Sequence, residues 1–265
     1  MLSMQDVLAD WRREMERANK LAAELAALRA PQASTPPRKP FAAEYPEDGY
    51  TTLDDAGWKS VLTIDGVTFR RHLHGGGWVA STAHADPTAF VGVYAQVWDY
   101  AQVRDHAQIC GTARISCRAT VRDYARVIMN ARVSGNADIC ENARVESNAW
   151  VGGSARISGS ACIGGNAMVG ENAMVRDCAQ VLDAASIGGF CVIRGCAMLH
   201  DRARVYEHAQ VCGDAEVREV AEVFGSARVS DRASVFGSAR ISGCARITGF
   251  EQVSEDRRVP ERKAP

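Results

Sequence analysis

Six histidines and nine cysteines are the residues of this 265-residue chain with the most chemistry to offer. A surface imidazole whose tautomer is held by a carboxylate or carbonyl can take a proton from a hydroxyl or an amine, the work of a general base. His106 and His208 each stand one place before an alanine, in DHAQ and EHAQ, and are the two candidates for that role. Both positions also suit a plain surface residue. Glu207 is a poor orienting partner for His208, because adjacent residues of an extended chain point to opposite sides. His200 follows Leu199 on what reads as a strand face. No metal site is expected, since His200 and His208, eight residues apart, fall on different sides of the fold argued below. The cysteines form no CxxC pair, and only Cys178 and Cys196 stand eighteen apart. Their odd number points to reduced thiols in a cytoplasmic protein.

What must position these groups is the stretch from Val91 to Val253, where a unit of six residues recurs without a break: VGVYAQ, VWDYAQ, VRDHAQ, ICGTAR and onward. Every sixth residue is Val, Ile or Leu, and the residue two places before it is Ala from Ala89 to Ala245, with Cys191 standing in once. A period of six rotates by about 240° per step on a helix, so no helical stripe can bury all of these positions. On a strand, Ala95 and Val97 share a face while Gln96 points away. Each hexad is therefore a short strand and a corner, the corners marked by Gly, Asp, Asn and Ser. Three hexads close a triangular coil, and residues eighteen apart stack in columns such as Val97, Ile115, Val133, Val151 and Val169.

In this pattern the chain resembles the hexapeptide-repeat superfamily. The resemblance implies an all-β, left-handed parallel β-helix of nine to ten coils over residues 78–253. It also implies a homotrimer and, for the enzymes of the superfamily, an acyltransferase that binds acetyl-CoA or another acyl-CoA between subunits. His106 or His208 would then serve as base. Those enzymes typically interrupt the repeat with a projecting loop or add a helical domain, and neither occurs between Val91 and Val253. The entry Gly76, Gly77, Trp78, Val79 and Ser81 resembles a narrower group, the YdcK-like and prophage-associated proteins, commonly labelled acyltransferases from their fold.

The outward columns suggest a different use. Trp150 with Gly152, Met168 with Gly170, and Ser186 with Gly188 flank one inward column, giving a flat, small-residue strip. Met174 and Val192 stack on the next side, and Cys162 and Met198 lie at the same level on the third. Such a cluster, amid positions otherwise mostly Arg, Gln or Glu, reads as an interface.

Residues 1–30 lack Gly and Pro and carry apolar residues at spacings of three and four, among them Leu8, Trp11, Met15, Leu21, Leu25 and Leu28. They predict an amphipathic, coiled-coil-like helix for self-association or for recruiting a protein partner. A Pro-rich linker follows over 31–47. Residues 48–77 contain WKSVLTI and VTFRRHL around Asp65 and Gly66, a β-hairpin read as a cap on the first coil, packed through Trp58, Phe69 and Trp78. Residues 254–265 read as a disordered tail.

A net charge of −1 with interspersed signs gives no footprint for nucleic acid, and no apolar run reaches membrane length. The expectation is a structural or interaction rod that needs no cofactor. The alternative is the acyl-CoA-dependent transferase.

Overall fold

The computed structural model describes residues 50–53, 59–64, 66–254 and 258–259. The expected helix over 1–30, the linker over 31–47, and Trp58 and Asp65 lie outside the described residues. No helix occurs among those described, so none is long and apolar enough to cross a membrane.

The hexads fold as two-residue strands in three parallel sheets. On the first face Gln96–Val97, Arg114–Ile115, Arg132–Val133 and Trp150–Val151 pair in register. The second face runs through Gln102–Val103 and Thr120–Val121, and the third through Gln108–Ile109 and Arg126–Val127. The second and third sheets each contain ten strands, so the solenoid makes about ten coils. Each coil satisfies the next: Gln96 N–H donates to Ala113 O at 3.0 Å, and Trp98 N–H to Ile115 O at 2.8 Å. Inside, the alanine and aliphatic columns close into one core from Ala89 to Val253, with Val97, Ile115, Val133 and their equivalents fully buried. Alanine fits one inward position of each hexad and a branched aliphatic the other, which fills the triangular interior to the density a core requires.

The corners explain the acidic residues of the repeat. From Val97 to Ile247 the residue two places after each aliphatic takes positive φ, as at Asp105 (55°), Asp123 (61°) and Glu141 (60°). That region costs an ordinary side chain about 1–2 kcal/mol. The carboxylate offsets it by accepting the backbone N–H of the corner one coil on. Asp105 Oδ2 takes Asp123 N–H at 3.2 Å, Asp123 Oδ2 takes Glu141 N–H at 2.9 Å, and Glu141 Oε2 takes Gly159 N–H at 2.8 Å. A second staircase climbs another corner through Asp183, Asp201 and Glu219 to Gly237.

The cap differs from the simple hairpin. Strands β1 (Tyr50–Leu53), β2 (Lys59–Ile64) and β3 (Val67–Arg71) form an antiparallel meander, joined through β3 to β4 (Trp78–Ala80), the first strand of the first face. Ile64 pairs with Val67, which leaves the two-residue turn that the sequence predicted. The meander extends one face rather than lying across all three. At the third face, β5 (His84–Ala85) having passed, the edge of β6 (Phe90–Val91) is taken by the preceding loop: Val91 N–H donates to His74 O at 3.0 Å and Gly77 N–H to Val91 O at 2.8 Å. A side chain at Gly77 would run into the Gly92 carbonyl, so this approach needs glycine. Phe69 is buried edge-on against Trp98, with ring centroids 4.4 Å apart, and the Arg71 guanidinium lies 3.9 Å from the Trp78 ring centroid. At the other end Arg258–Val259 is a strand paired with Arg240–Ile241, so these two residues of the span expected to be a disordered tail add a strand to the first sheet, while 255–257 and 260–265 lie outside the described residues. Its sequence RRV keeps the repeat's aliphatic position, six residues beyond Val253.

Candidate functional site

His106 sits at the corner between the second and third faces, and His208 between the first and second. Both are exposed. They are separated by more than five coils, roughly 27 Å at about 4.8 Å per coil, and they do not converge. Each ring lies against an aromatic neighbour one coil away: His106 on Tyr124, centroids 5.3 Å and planes 20° apart, and His208 on Phe190, 5.3 Å and 13°. Among the described residues neither ring nitrogen has a hydrogen-bond or ion-pair partner. These histidines are stacked corner residues without the orienting group that a general base uses.

The imidazole with a carboxylate at each of its two nitrogens is His200, a residue of the third face. Its Nε2 lies 2.9 Å from Glu216 Oε1 and its Nδ1 3.0 Å from Asp201 Oδ2, with 21% of the side chain exposed. A neutral ring has one N–H for these two acceptors, and an imidazolium has two. Asp183, His200 and Asp201 hold their ligand atoms within 4.8 Å of one another, the one such group among the described residues. Both aspartates are already engaged in the corner staircase. The signal was present in the sequence: Asp201 is the next residue, and Glu216 stands sixteen on, across the strand column of one face.

The apolar strip is in register, with Trp150 beside Met168, Met168 beside Ser186, and Met174 beside Val192. It is not flat. The Trp150 indole folds across Gly152, where an added Cβ would meet the ring, and reaches Gly170, whose added Cβ would stand 3.3 Å from Cζ3. Gly188 is flanked by the Glu171 carboxylate, which accepts the Gly189 N–H. Glycine here is a seat for a neighbour's side chain. Trp150 and Met168 remain 39% and 50% exposed, while Met174, Val192, Cys162 and Met198 are half-buried. Farther along the column of Gly152, Gly170 and Gly188, Tyr206 and Phe224 stack in parallel at 5.0 Å. Glu222 takes Arg204 at 3.2 Å and Arg240 at 3.1 Å beside them.

All nine cysteines are free thiols. Burial pushes the Cys191 thiol up to about 12 and that of Cys162 up to about 11, which removes both as nucleophiles near neutral pH. Near the C-terminal end Gly213, Asp214, Asp231, Arg232, Gly249 and Phe250 line a shallow hollow. Two of its lining residues meet there, the Arg232 guanidinium lying 5.7 Å from the Phe250 ring centroid. No protein-family model matches the chain, and no curated protein matches it.

Proposed function

We propose that the chain is a structural or interaction rod, a left-handed hexapeptide-repeat β-helix that associates with copies of itself, as a homotrimer, through the face carrying Trp150 and Met168. The observation that carries this reading is the position of those two exposed side chains, in register and at mid-height. Elsewhere on the same face polar side chains are engaged with each other, as in Arg204, Glu222 and Arg240. An apolar run followed along the same face by such a paired polar ladder is what an interface core with a polar rim requires. Gly152 and Gly170 let the indole lie down, so that the face can be approached closely. The amphipathic segment over 1–30 would reinforce the assembly or recruit a partner.

Sedimentation equilibrium of the full chain tests the reading. A trimer that dissociates in a Trp150→Glu, Met168→Glu double variant of unchanged circular dichroism is the expected result. A monomeric wild type would remove the interface. Saturable binding of acetyl-CoA by calorimetry, lost in His106→Ala or His208→Ala, would replace the rod with the transferase.

A further inference from the structure

Cys178 and Cys196 occupy the same corner position in consecutive coils, the residue immediately before an inward alanine. The coils around them are in register, with Val175 beside Ile193 and Gln180 beside Met198, and Cys178 N–H donates to Gly195 O at 2.9 Å. Adjacent parallel strands stand about 4.8 Å apart. That spacing lies within the roughly 4.4–6.8 Å between α-carbons that a disulfide spans.

Side chains at this corner position meet from coil to coil elsewhere in the molecule. Thr112 Oγ1 donates to Asn130 Oδ1 at 2.6 Å, Asn130 Nδ2 to Asn148 Oδ1 at 3.0 Å, and Asn148 Nδ2 to Asn166 Oδ1 at 3.1 Å. The stacks of His106 on Tyr124 and of Phe190 on His208 occupy it too. Cys178 and Cys196 are the one pair of thiols in this relationship. Both are exposed, whereas Cys140, Cys191 and Cys212 are buried. The Cys196 thiol is pushed up by desolvation and then by negative charge on Cys178 and Asp214. A side-chain hydrogen bond with Cys178 also contributes to that shift, in keeping with the two thiols standing on neighbouring coils.

We propose that Cys178 and Cys196 form a surface dithiol that exchanges with small-molecule disulfides and closes into a disulfide between consecutive coils. One thiolate attacks the incoming disulfide R–S–S–R, forming a mixed disulfide and releasing R–S⁻. The second thiolate attacks the protein sulfur of that mixed disulfide, the Sγ–Sγ bond forms, and a second R–S⁻ leaves. The two thiols are oxidised, the small disulfide is reduced, and the two thiol protons end on two R–SH. Because the second sulfur is held beside the first, closure outruns retention of the adduct.

The experiment exposes the purified full chain to oxidised glutathione and maps tryptic peptides by mass spectrometry without reduction. Cleavage after Arg176, Arg194 and Arg202 places Cys178 in peptide 177–194 and Cys196 in peptide 195–202. The expected product is these two peptides joined through Cys178, as fragmentation distinguishes from Cys191, in roughly tenfold or greater excess over glutathionylated forms. Cys178→Ser and Cys196→Ser, with unchanged circular dichroism, each retain glutathione on the remaining thiol. Wild-type chain that keeps glutathione on both residues, leaves both unmodified, or joins either of them to another cysteine overturns the proposal. The wild-type map decides the question even if a serine variant fails to fold.

Discussion

Asp123 accepts the backbone N–H of Glu141 at 2.9 Å while its own N–H is accepted by Asp105 at 3.2 Å. One residue thus closes hydrogen bonds to the coils on both sides, through a backbone that would otherwise favour glycine. Two properties of Asp are used, its tolerance of positive φ and its acceptor. Replacement should separate them. Asp123→Gly keeps the turn and loses the acceptor, Asp123→Ala loses both, and Asp123→Asn keeps the turn and a weaker, uncharged acceptor. The expected order of stability is wild type, then Asn, then Gly, then Ala, with Ala about 1–2 kcal/mol below wild type at this half-exposed site. Hydrogen exchange at the Glu141 amide, faster in Gly and Ala, checks the mechanism where global unfolding of a repeat array is not two-state.

At the N-terminal coil the same device has a pH signature. Asp86 accepts the Asp105 N–H at 2.8 Å and His84 Nε2 at 2.7 Å, and its pKa is lowered, first by the backbone hydrogen bond and then by the His84 side chain. A folded-state pKa below the unfolded value means that the unfolded chain binds protons more readily in acid. The stabilisation is therefore complete above the ordinary carboxylate range and is lost as pH falls through the depressed folded value. Exchange of the Asp105 amide should accelerate below about pH 4 in the wild type. In Asp86→Asn that step should be absent, and an unchanged step would assign it to another carboxylate.

Core substitutions should divide by column. Ile157 is fully buried in the aliphatic column, and Ile157→Ala is expected to cost about 2–5 kcal/mol, through lost burial and an unfilled cavity. Cys191 occupies the alanine column and is fully buried. Cys191→Ala restores the residue found at every equivalent position from Ala89 to Ala245 and should cost well under about 1.5 kcal/mol. Urea unfolding of the two variants compares them directly. Equal losses would mean that the columns are not distinct in packing.

The solenoid was legible because its signal is redundant. Val97 alone says little, but Val97, Ile115 and Val133 at one spacing, each with Ala two places before it, leave a single way to bury them all. The corner carboxylates were read as turn formers, which is half of their role. The other half depends on the residue eighteen positions on, and no local pattern announces that Asp123 bonds to Glu141. His200 is hidden in the sequence for the same reason, since its partner Glu216 is a neighbour across coils. The meander strand Tyr50–Leu53 carries only four residues of weak alternation. A column assignment alone makes the glycine strip flat, and it is not, because the Trp150 ring crosses from its own column to the next.

That crossing gives the last prediction. Gly152 does not have positive φ, so its backbone accepts any residue, and the reason for glycine is the Trp150 indole lying on it. Gly152→Ala should leave the fold and its circular dichroism intact but lift the indole off the surface. The Trp150 ring, 39% exposed in the native arrangement, would become more accessible. In a chain whose other four tryptophans are replaced by phenylalanine, with folding verified, Trp150 emission should shift to the red and acrylamide quenching should rise. If the face is also the contact between copies, association should weaken in the same variant, since a raised indole spoils close approach. A changed emission with unchanged association would separate the seat from the interface. Unchanged emission would show that the ring does not rest on Gly152.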